Sequence, residues 1–353
     1  MKMGVVWSFS MIKVFIIDDS MLVRNSIIKM LKGESTIKVI GEAPNPVDAF
    51  EIFKKVGLPD VFILDIEMPK MDGLSFFKQI NQQKQVPVII CSTLVSDGSS
   101  AAIDSLRLGA VDIILKPKVN LKDFFYEQRE EIINSITAAS LSNVKFVKNI
   151  VSEIEQNTNK TASENSKKFI VIGSSTGGVQ IIEEILSQLK PNHRGIVITQ
   201  HMPEGFTASF AARLNKYTNS VVVESSNNEI IQDNKVIIAK GGIHTEIIKK
   251  DGNYCTVLKD YPRINSHKPS VNALFKSVSK LDVLDVTAFI LTGMGDDGAL
   301  GIKKLKDQGY NTYGQNKESC IVYGMPSVAN RIGGLKKELS TDEIINKINS
   351  LKG

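Results

Sequence analysis

A glycine-rich stretch, Gly173-Ser174-Ser175-Thr176-Gly177-Gly178, sets hydroxyl side chains among residues that let the backbone turn tightly. Its spacing fits G-x-S-x-G, in which a serine sits on a sharp turn between a strand and a helix. The same stretch could equally cradle a phosphate on exposed amides at a helix N-terminus. A serine nucleophile needs a base, and the base needs an orienting acid. His201, in VITQHMPEGF, and Asp297, in ILTGMGDDGAL, each follow an apolar run and supply that pair. Of the other histidines, His193 sits in a polar loop, and His244 and His267 lie outside such motifs. The order Ser175, His201, Asp297 differs from the nucleophile, acid, base order of α/β-hydrolases, so the turn does not assign the chain to that fold.

A second group of chemistry-bearing residues lies nearer the N-terminus. Asp18 and Asp19 end one apolar run, and Asp65 ends another. In an open parallel sheet, ligands gather beyond the carboxyl ends of the strands. Three carboxylates gathered there repel one another and have raised pKa values unless a cation neutralises them. Hard oxygen donors suit Mg2+. Ser92 and Lys116 close two further runs and could hydrogen-bond and pair with phosphoryl oxygens.

The elements that must position these residues form two α/β alternations. Between Ile12 and about Arg129, the runs KVFII, IKVIG, DVFILD, VPVIIC and VDIIL are short, rich in Val and Ile, and continuously apolar. Such runs suit parallel strands covered on both faces. Between them lie amphipathic stretches such as Met21–Lys32, with Val23, Ile27, Met30 and Leu31 on one face. This is a five-stranded, doubly wound unit. One helical stretch, Leu121–Val151, leads out of it, and residues 152–168 have the polar composition of a flexible linker. A second alternation opens at Phe169, with strands in KFIVIG, GIVITQ, SVVVES, KVIIA and VTAFILTG. Asp-Gly inside IIKKDGNYCTVLK signals a hairpin, so this sheet should be mostly parallel with an antiparallel hairpin. The expected division is 1–11 a tail, 12–130 the first domain, 131–167 helix and linker, and 168–353 the second domain.

The 353 residues accommodate two domains. A net charge of +5, without a basic cluster interleaved with aromatics, gives no case for nucleic acid. Three scattered cysteines lack metal-ligand spacing and fit a reducing, cytoplasmic compartment. The opening MKMGVVWSFS is too short for a secretory apolar region, and no run is long enough to span a membrane.

DDS, LDIEMPKMDG, CST and LKP resemble the receiver domain of two-component response regulators over about residues 12–130. That resemblance implies a phosphoryl group accepted by Asp65 from a chemotaxis histidine kinase. It further implies a switch at Ser92 and Lys116, and Mg2+ held by Asp19 and Asp65, beside Asp18, with a carbonyl near Glu67. It also implies a cis Lys116–Pro117 peptide. With GSSTGG, ITQHMPEGFT, HKPSVNALF, LTGMGDDGA and YGQNKESCIVYGMP, nearly the whole chain resembles the chemotaxis protein-glutamate methylesterases. This implies Ser175 as nucleophile, His201 as base, Asp297 as acid, and oxyanion stabilisation at Thr176 and the Met294 amide. The expected activity is demethylation, and glutamine deamidation, of chemoreceptors, with no cofactor for the ester chemistry. The unphosphorylated receiver is expected to cover the Ser175 cleft. The competing reading is a nucleotide-binding adaptor with GSSTGG as its phosphate cradle. The His201 and Asp297 pair and the absence of G-x-G-x-x-G at that turn count against it. A DNA-binding output lacks a helix-turn-helix with a basic recognition helix.

Overall fold

A computed structural model describes residues 11–93, 98–117, 120–142, 161–162, 165–283 and 285–351. Residues 1–10 of the expected tail and most of the polar stretch 152–168 lie outside the described residues. The chain divides into two compact units, residues 1–144 and 145–353.

The first unit alternates strand and helix: β1 Ile12–Ile17, α1 Met21–Leu31, β2 Ile37–Ala43, α2 Pro46–Val56, β3 Val61–Leu64, α3 Gly73–Gln83, β4 Val88–Thr93, α4 Gly98–Arg107, β5 Asp112–Lys116, α5 Leu121–Glu127 and α6 Arg129–Leu141. The strands pair in parallel in the order β2-β1-β3-β4-β5. Strand β3, residues 14–17 of β1 and residues 88–92 of β4 are buried, as their apolar runs require. Helix α1 buries Val23, Ile27, Met30 and Leu31, and the Ser20 side chain caps it by accepting the Val23 N–H at 3.4 Å.

Two expectations for this unit are corrected. The helical stretch from Leu121 is broken at Gln128, which leaves helical geometry (ψ 9°) before α6 begins. Amphipathic periodicity runs through such a break and does not reveal it. The cis peptide among the described residues is Lys268–Pro269, not Lys116–Pro117. The two X-Pro isomers differ by only ~0.5–1 kcal/mol, so surroundings rather than the dipeptide decide between them.

The second unit comprises β6 Lys168–Ser174, α7 Gly178–Ser187, β7 Ile196–Gln200, α8 Phe206–Tyr217, β8 Val221–Glu224, β9 Glu229–Ile230, β10 Lys235–Ile238, β11 His244–Lys250, β12 Asn253–Lys259, α9 Val271–Val278, β13 Asp285–Ile290, α10 Ala299–Asp307, β14 Asn311–Gln315, α11 Met325–Arg331, β15 Lys337–Leu339 and α12 Thr341–Ser350. Seven strands form a parallel sheet in the order β15-β14-β13-β6-β7-β10-β8. The chain leaves β6 toward β7 and later returns to β13 on the other side of β6. Strand order therefore reverses at β6, and a crevice opens beyond such a reversal in an open α/β sheet.

The expected hairpin is β11–β12, joined at Asp251 (φ 49°) and Gly252 (φ 79°), both left-handed as a tight primed turn demands. It pairs with β9 in a separate three-stranded sheet rather than extending the large one. Strands β14 and β15 have no counterpart among the expected strands. Their sequences, NTYGQ and KEL, are short and polar, although Thr312 and Gln315 are buried. Val171, Val197, Ile237, Val286, Ala288 and Ile290 from the large sheet pack with Leu274 and Phe275 of α9 and Ile302 and Leu305 of α10 in one core cluster. No helix among the described residues is long and apolar enough to cross a membrane.

Candidate functional site

Ser175, His201 and Asp297 follow β6, β7 and β13, which are adjacent in the sheet. All three therefore meet at the crevice beside the reversal. His201 Nδ1 lies 3.0 Å from Ser175 Oγ, and His201 Nε2 lies 2.8 Å from Asp297 Oδ2. The ring uses its nitrogens in the opposite sense to the serine-protease arrangement, in which Nε2 faces the serine. The connectivity is the same: hydroxyl, imidazole, carboxylate.

Ser175 sits on a turn that depends on small residues. Gly177, at φ 77°, precedes α7, and a Cβ there would come within 2.6 Å of Ile321 Cβ. A Cβ on Gly293 would stand 2.7 Å from Ser175 Cβ and 2.5 Å from Met325 Sδ, so only glycine lets the β13 loop pass the serine. The Ser175 N–H donates to Thr292 O at 3.0 Å, which ties the two loops together.

The adjacent hydroxyl is spoken for. Ser174 is fully buried and its Oγ donates to Gln200 Oε1 at 2.6 Å. Gln200 Nε2 donates in turn to Ser175 O (2.9 Å) and His201 O (3.0 Å). Gln200 thus links the two strand ends that carry serine and histidine. Sequence reading missed it; its place immediately before His201 at a strand's end was the available signal.

Asp297 is 1% exposed and receives four hydrogen bonds. Oδ1 accepts from Ser270 Oγ (2.8 Å) and the Asn272 N–H (3.2 Å); Oδ2 accepts from the Val271 N–H (2.7 Å) and from His201. These backbone donors are the first turn of α9, whose dipole favours an anion. Burial pushes the Asp297 carboxyl up, but the His201 contact and the Ser270 and Val271 bonds outweigh it and hold the group below the usual carboxylate range.

His267 belongs to no strand-end motif, yet it stacks on His201, with ring centroids 3.7 Å apart and planes 17° from parallel. Burial, with the neighbouring His201 charge, keeps it well below the ordinary histidine pKa, so it packs against His201 as a neutral ring. It lies in a loop, where strand-end logic could not find it.

In the first unit, Asp18 follows β1, Asp65 follows β3, Ser92 lies in β4 and Lys116 ends β5, on four adjacent strands. Lys116 Nζ bridges Asp18 Oδ2 (2.9 Å) and Asp65 Oδ2 (2.7 Å). Burial, despite Lys116, pushes the Asp65 carboxyl up to about 6 and raises Asp18 as well. Carboxylate oxygens of Asp18, Asp19 and Asp65 lie within 4.8 Å of one another. An all-oxygen donor set whose buried anions are incompletely neutralised fits a hard divalent cation. The exposed Glu67 side chain is not part of that group. Ser92 is buried in β4, and the next residue, Thr93, pairs in register with Lys116.

The CheB methylesterase family profile matches residues 170–348, and the response regulator receiver domain profile matches residues 14–124. A protein-glutamate methylesterase/protein-glutamine glutaminase of Shewanella oneidensis is 39% identical over 96% of this chain and 98% of its own length. One of the same name from Leptospira interrogans is 43% identical over 96% and 99%. The solved Thermotoga maritima CheB methylesterase catalytic domain is 34% identical, covers 52% of this chain and 98% of its own, and superposes with a TM-score of 0.51.

Proposed function

The chain belongs to the CheB methylesterase family, and on that premise we propose a phosphorylation-activated protein-glutamate methylesterase and protein-glutamine glutaminase, serving chemotaxis adaptation, with Ser175, His201 and Asp297 as its catalytic residues. The observation that carries the assignment is the unbroken contact from Ser175 Oγ through His201 to Asp297, on three adjacent strand ends at the sheet's reversal.

His201 Nδ1 takes the proton from Ser175 Oγ, which attacks the carbonyl carbon of a glutamyl methyl ester. The negative charge that develops on the carbonyl oxygen is met by the N–H groups of Thr176 and Met294. Thr176 leads into the N-terminus of α7, and the Met294 loop is held where the Met325 and Gly324 N–H groups donate to Gly293 O at 2.8 and 3.1 Å. The imidazolium Nδ1–H protonates the departing methoxide oxygen so that methanol leaves, and His201 then deprotonates the water that releases glutamate from the acyl-enzyme. With glutamine, ammonia departs instead. Asp297 holds Nε2–H and offsets the imidazolium charge.

Control lies in the first unit. Asp65 accepts a phosphoryl group from a chemotaxis histidine kinase. Asp19 and Asp65, with Asp18 beside them and a carbonyl near Glu67, would hold Mg2+, which would supply positive charge for the incoming phosphoryl oxygens. Lys116 and Ser92 then meet the phosphoryl group directly. The proposed substrates are methyl-accepting chemoreceptors, and the setting is the cytoplasm, consistent with free Cys91, Cys255 and Cys320. A nucleotide-binding adaptor finds no support in a turn whose two serines are bonded to Gln200 and His201. Covalent labelling of Ser175 by a serine-directed phosphonate, blocked by His201→Gln, tests the assignment; labelling of another residue would contradict it.

A further inference from the structure

His244 is remote in sequence from all three catalytic positions, starts β11 in the smaller sheet, and is fully buried. Its ring joins the two ends of one loop, the connection between β12 and α9. Nε2 lies 3.1 Å from Pro262 O, and the Ser270 N–H donates to Nδ1 at 3.2 Å. A carbonyl at one nitrogen and an N–H at the other admit a single species: neutral imidazole protonated on Nε2. Burial holds its pKa below the usual value, with Pro262 O, Lys268, Asp297 and Glu246 as lesser influences. One face stacks on Tyr261, 4.2 Å away between centroids, and the Tyr261 hydroxyl donates to Glu246 Oε1 at 2.9 Å.

The loop between those ends reaches both His201 and Asp297. Its tip is a tight turn in which Asn265 (φ 49°) and Ser266 (φ 67°) are both left-handed, closed by reciprocal Ile264–His267 backbone bonds of 3.1 and 2.9 Å. Such a conformation in non-glycine residues persists only when its surroundings hold it. Asn265 Nδ2 donates to Asp296 Oδ1 at 2.8 Å, which fixes the tip. His267, directly after the turn, stacks on His201. Ser270, at the loop's end, donates to Asp297 and caps α9, whose first amides hold the same carboxylate.

We propose that His244 is a positioning residue for the esterase: by tying Pro262 to Ser270 it sets the loop that holds both His201 and Asp297 in reactive geometry. This rests on the reading of Ser175, His201 and Asp297 as the catalytic residues. The role needs an acceptor at Nδ1 more than it needs bulk. In the full-length protein, His244→Phe keeps the stacking on Tyr261 but loses both hydrogen bonds, whereas His244→Asn leaves a void but keeps an acceptor facing Ser270.

Methanol release from a methylated chemoreceptor, thermal midpoints, and the low-field NMR proton between His201 and Asp297 separate the two. His244→Phe should lower kcat about 10- to 100-fold with KM little changed, the scale of misplacing a catalytic group by about an ångström. Its low-field proton should be shifted or lost. His244→Asn should recover most of kcat and the proton signal even where its midpoint is the lower of the two. Wild-type kcat in His244→Phe, or activity that follows thermal stability in both variants, would overturn the proposal. His201→Gln in the same assay keeps the premise separate: turnover without His201 would overturn the catalytic reading and with it the role of His244. A dead His201→Gln beside a normal His244→Phe would overturn the role of His244 alone.

Discussion

Replacing Asp297 by asparagine removes a charge while preserving shape, and the structure says what each orientation of the new amide meets. The carboxylate accepts on both oxygens, two donors each. Asparagine keeps one accepting oxygen and presents N–H groups in place of the other. With the NH2 at Oδ2, it faces the Val271 N–H and the His201 Nε2–H, and His201 escapes only by moving its proton to Nδ1, where it can no longer take the proton of Ser175. With the NH2 at Oδ1, it opposes the Asn272 N–H, the Ser270 hydroxyl can turn to accept, and His201 loses its anionic partner. This second orientation is the better tolerated. Loss of two charge-assisted bonds, at ~1.5–3 kcal/mol each, predicts a stability decrease of about 3–6 kcal/mol. Turnover should fall by well over tenfold, because no carboxylate offsets the imidazolium, and by up to about 10^4-fold to the extent that His201 takes the Nδ1–H tautomer. Because the Asp297 pKa is depressed, its contribution is fully present above the unfolded value of ~3.9 and is lost progressively as pH falls through the lower folded value; the gap between the two proteins should narrow in acid. Urea unfolding at pH 7 and pH 3, with methanol release at pH 7, reads all three effects. An Asp297→Asn enzyme within about tenfold of wild type in turnover, or equally stable at pH 7, would refute this account of the site.

Three further outcomes follow from other residues. Asp65, pushed up to about 6, holds its proton longer folded than unfolded, so in Mg2+-free buffer stability should fall by ~3 kcal/mol as pH rises from about 4 to about 6, then level off. Asp65→Asn should shrink that fall and abolish phosphorylation; identical pH profiles for the two proteins would contradict the charge balance. Gly293→Ala, whose methyl would press on Ser175 Cβ and Met325 Sδ, should cut kcat at least tenfold while the protein stays folded by circular dichroism. Ser174→Ala should lose about 1–3 kcal/mol in urea unfolding by leaving Gln200 Oε1 without its donor, yet keep turnover within about tenfold, because Ser174 is not the nucleophile.

Strand positions and the convergence of polar residues at strand ends were legible because parallel strands buried on both faces leave a continuous apolar run with a polar terminus. That rule located Asp18, Asp65, Lys116, Ser175, His201 and Asp297. It failed where position depends on a loop's path. His267 is brought to His201 by a tight turn, and His244, at the start rather than the end of β11, meets the same loop through the Ser270 cap of α9; neither a tight turn nor a cap has a periodicity. Strands β14 and β15 were hidden because NTYGQ and KEL are short and polar, and Gln315 is met by partners distant in sequence, Thr292 and Thr341. The break at Gln128 interrupts a helix without interrupting its apolar pattern.

The central claim is that Ser175 performs the esterase chemistry and that Asp65 governs it. Its most direct test is methanol release from a methylated chemoreceptor by the full-length protein, with and without a phosphodonor and Mg2+, for wild type, Ser175→Ala and Asp65→Asn. Wild type should accelerate on adding the phosphodonor. Asp65→Asn should not respond. Ser175→Ala should drop by a factor on the order of 10^6 in kcat under both conditions. Undiminished release by Ser175→Ala would contradict the catalytic assignment, and a normal phosphodonor response in Asp65→Asn would contradict the control.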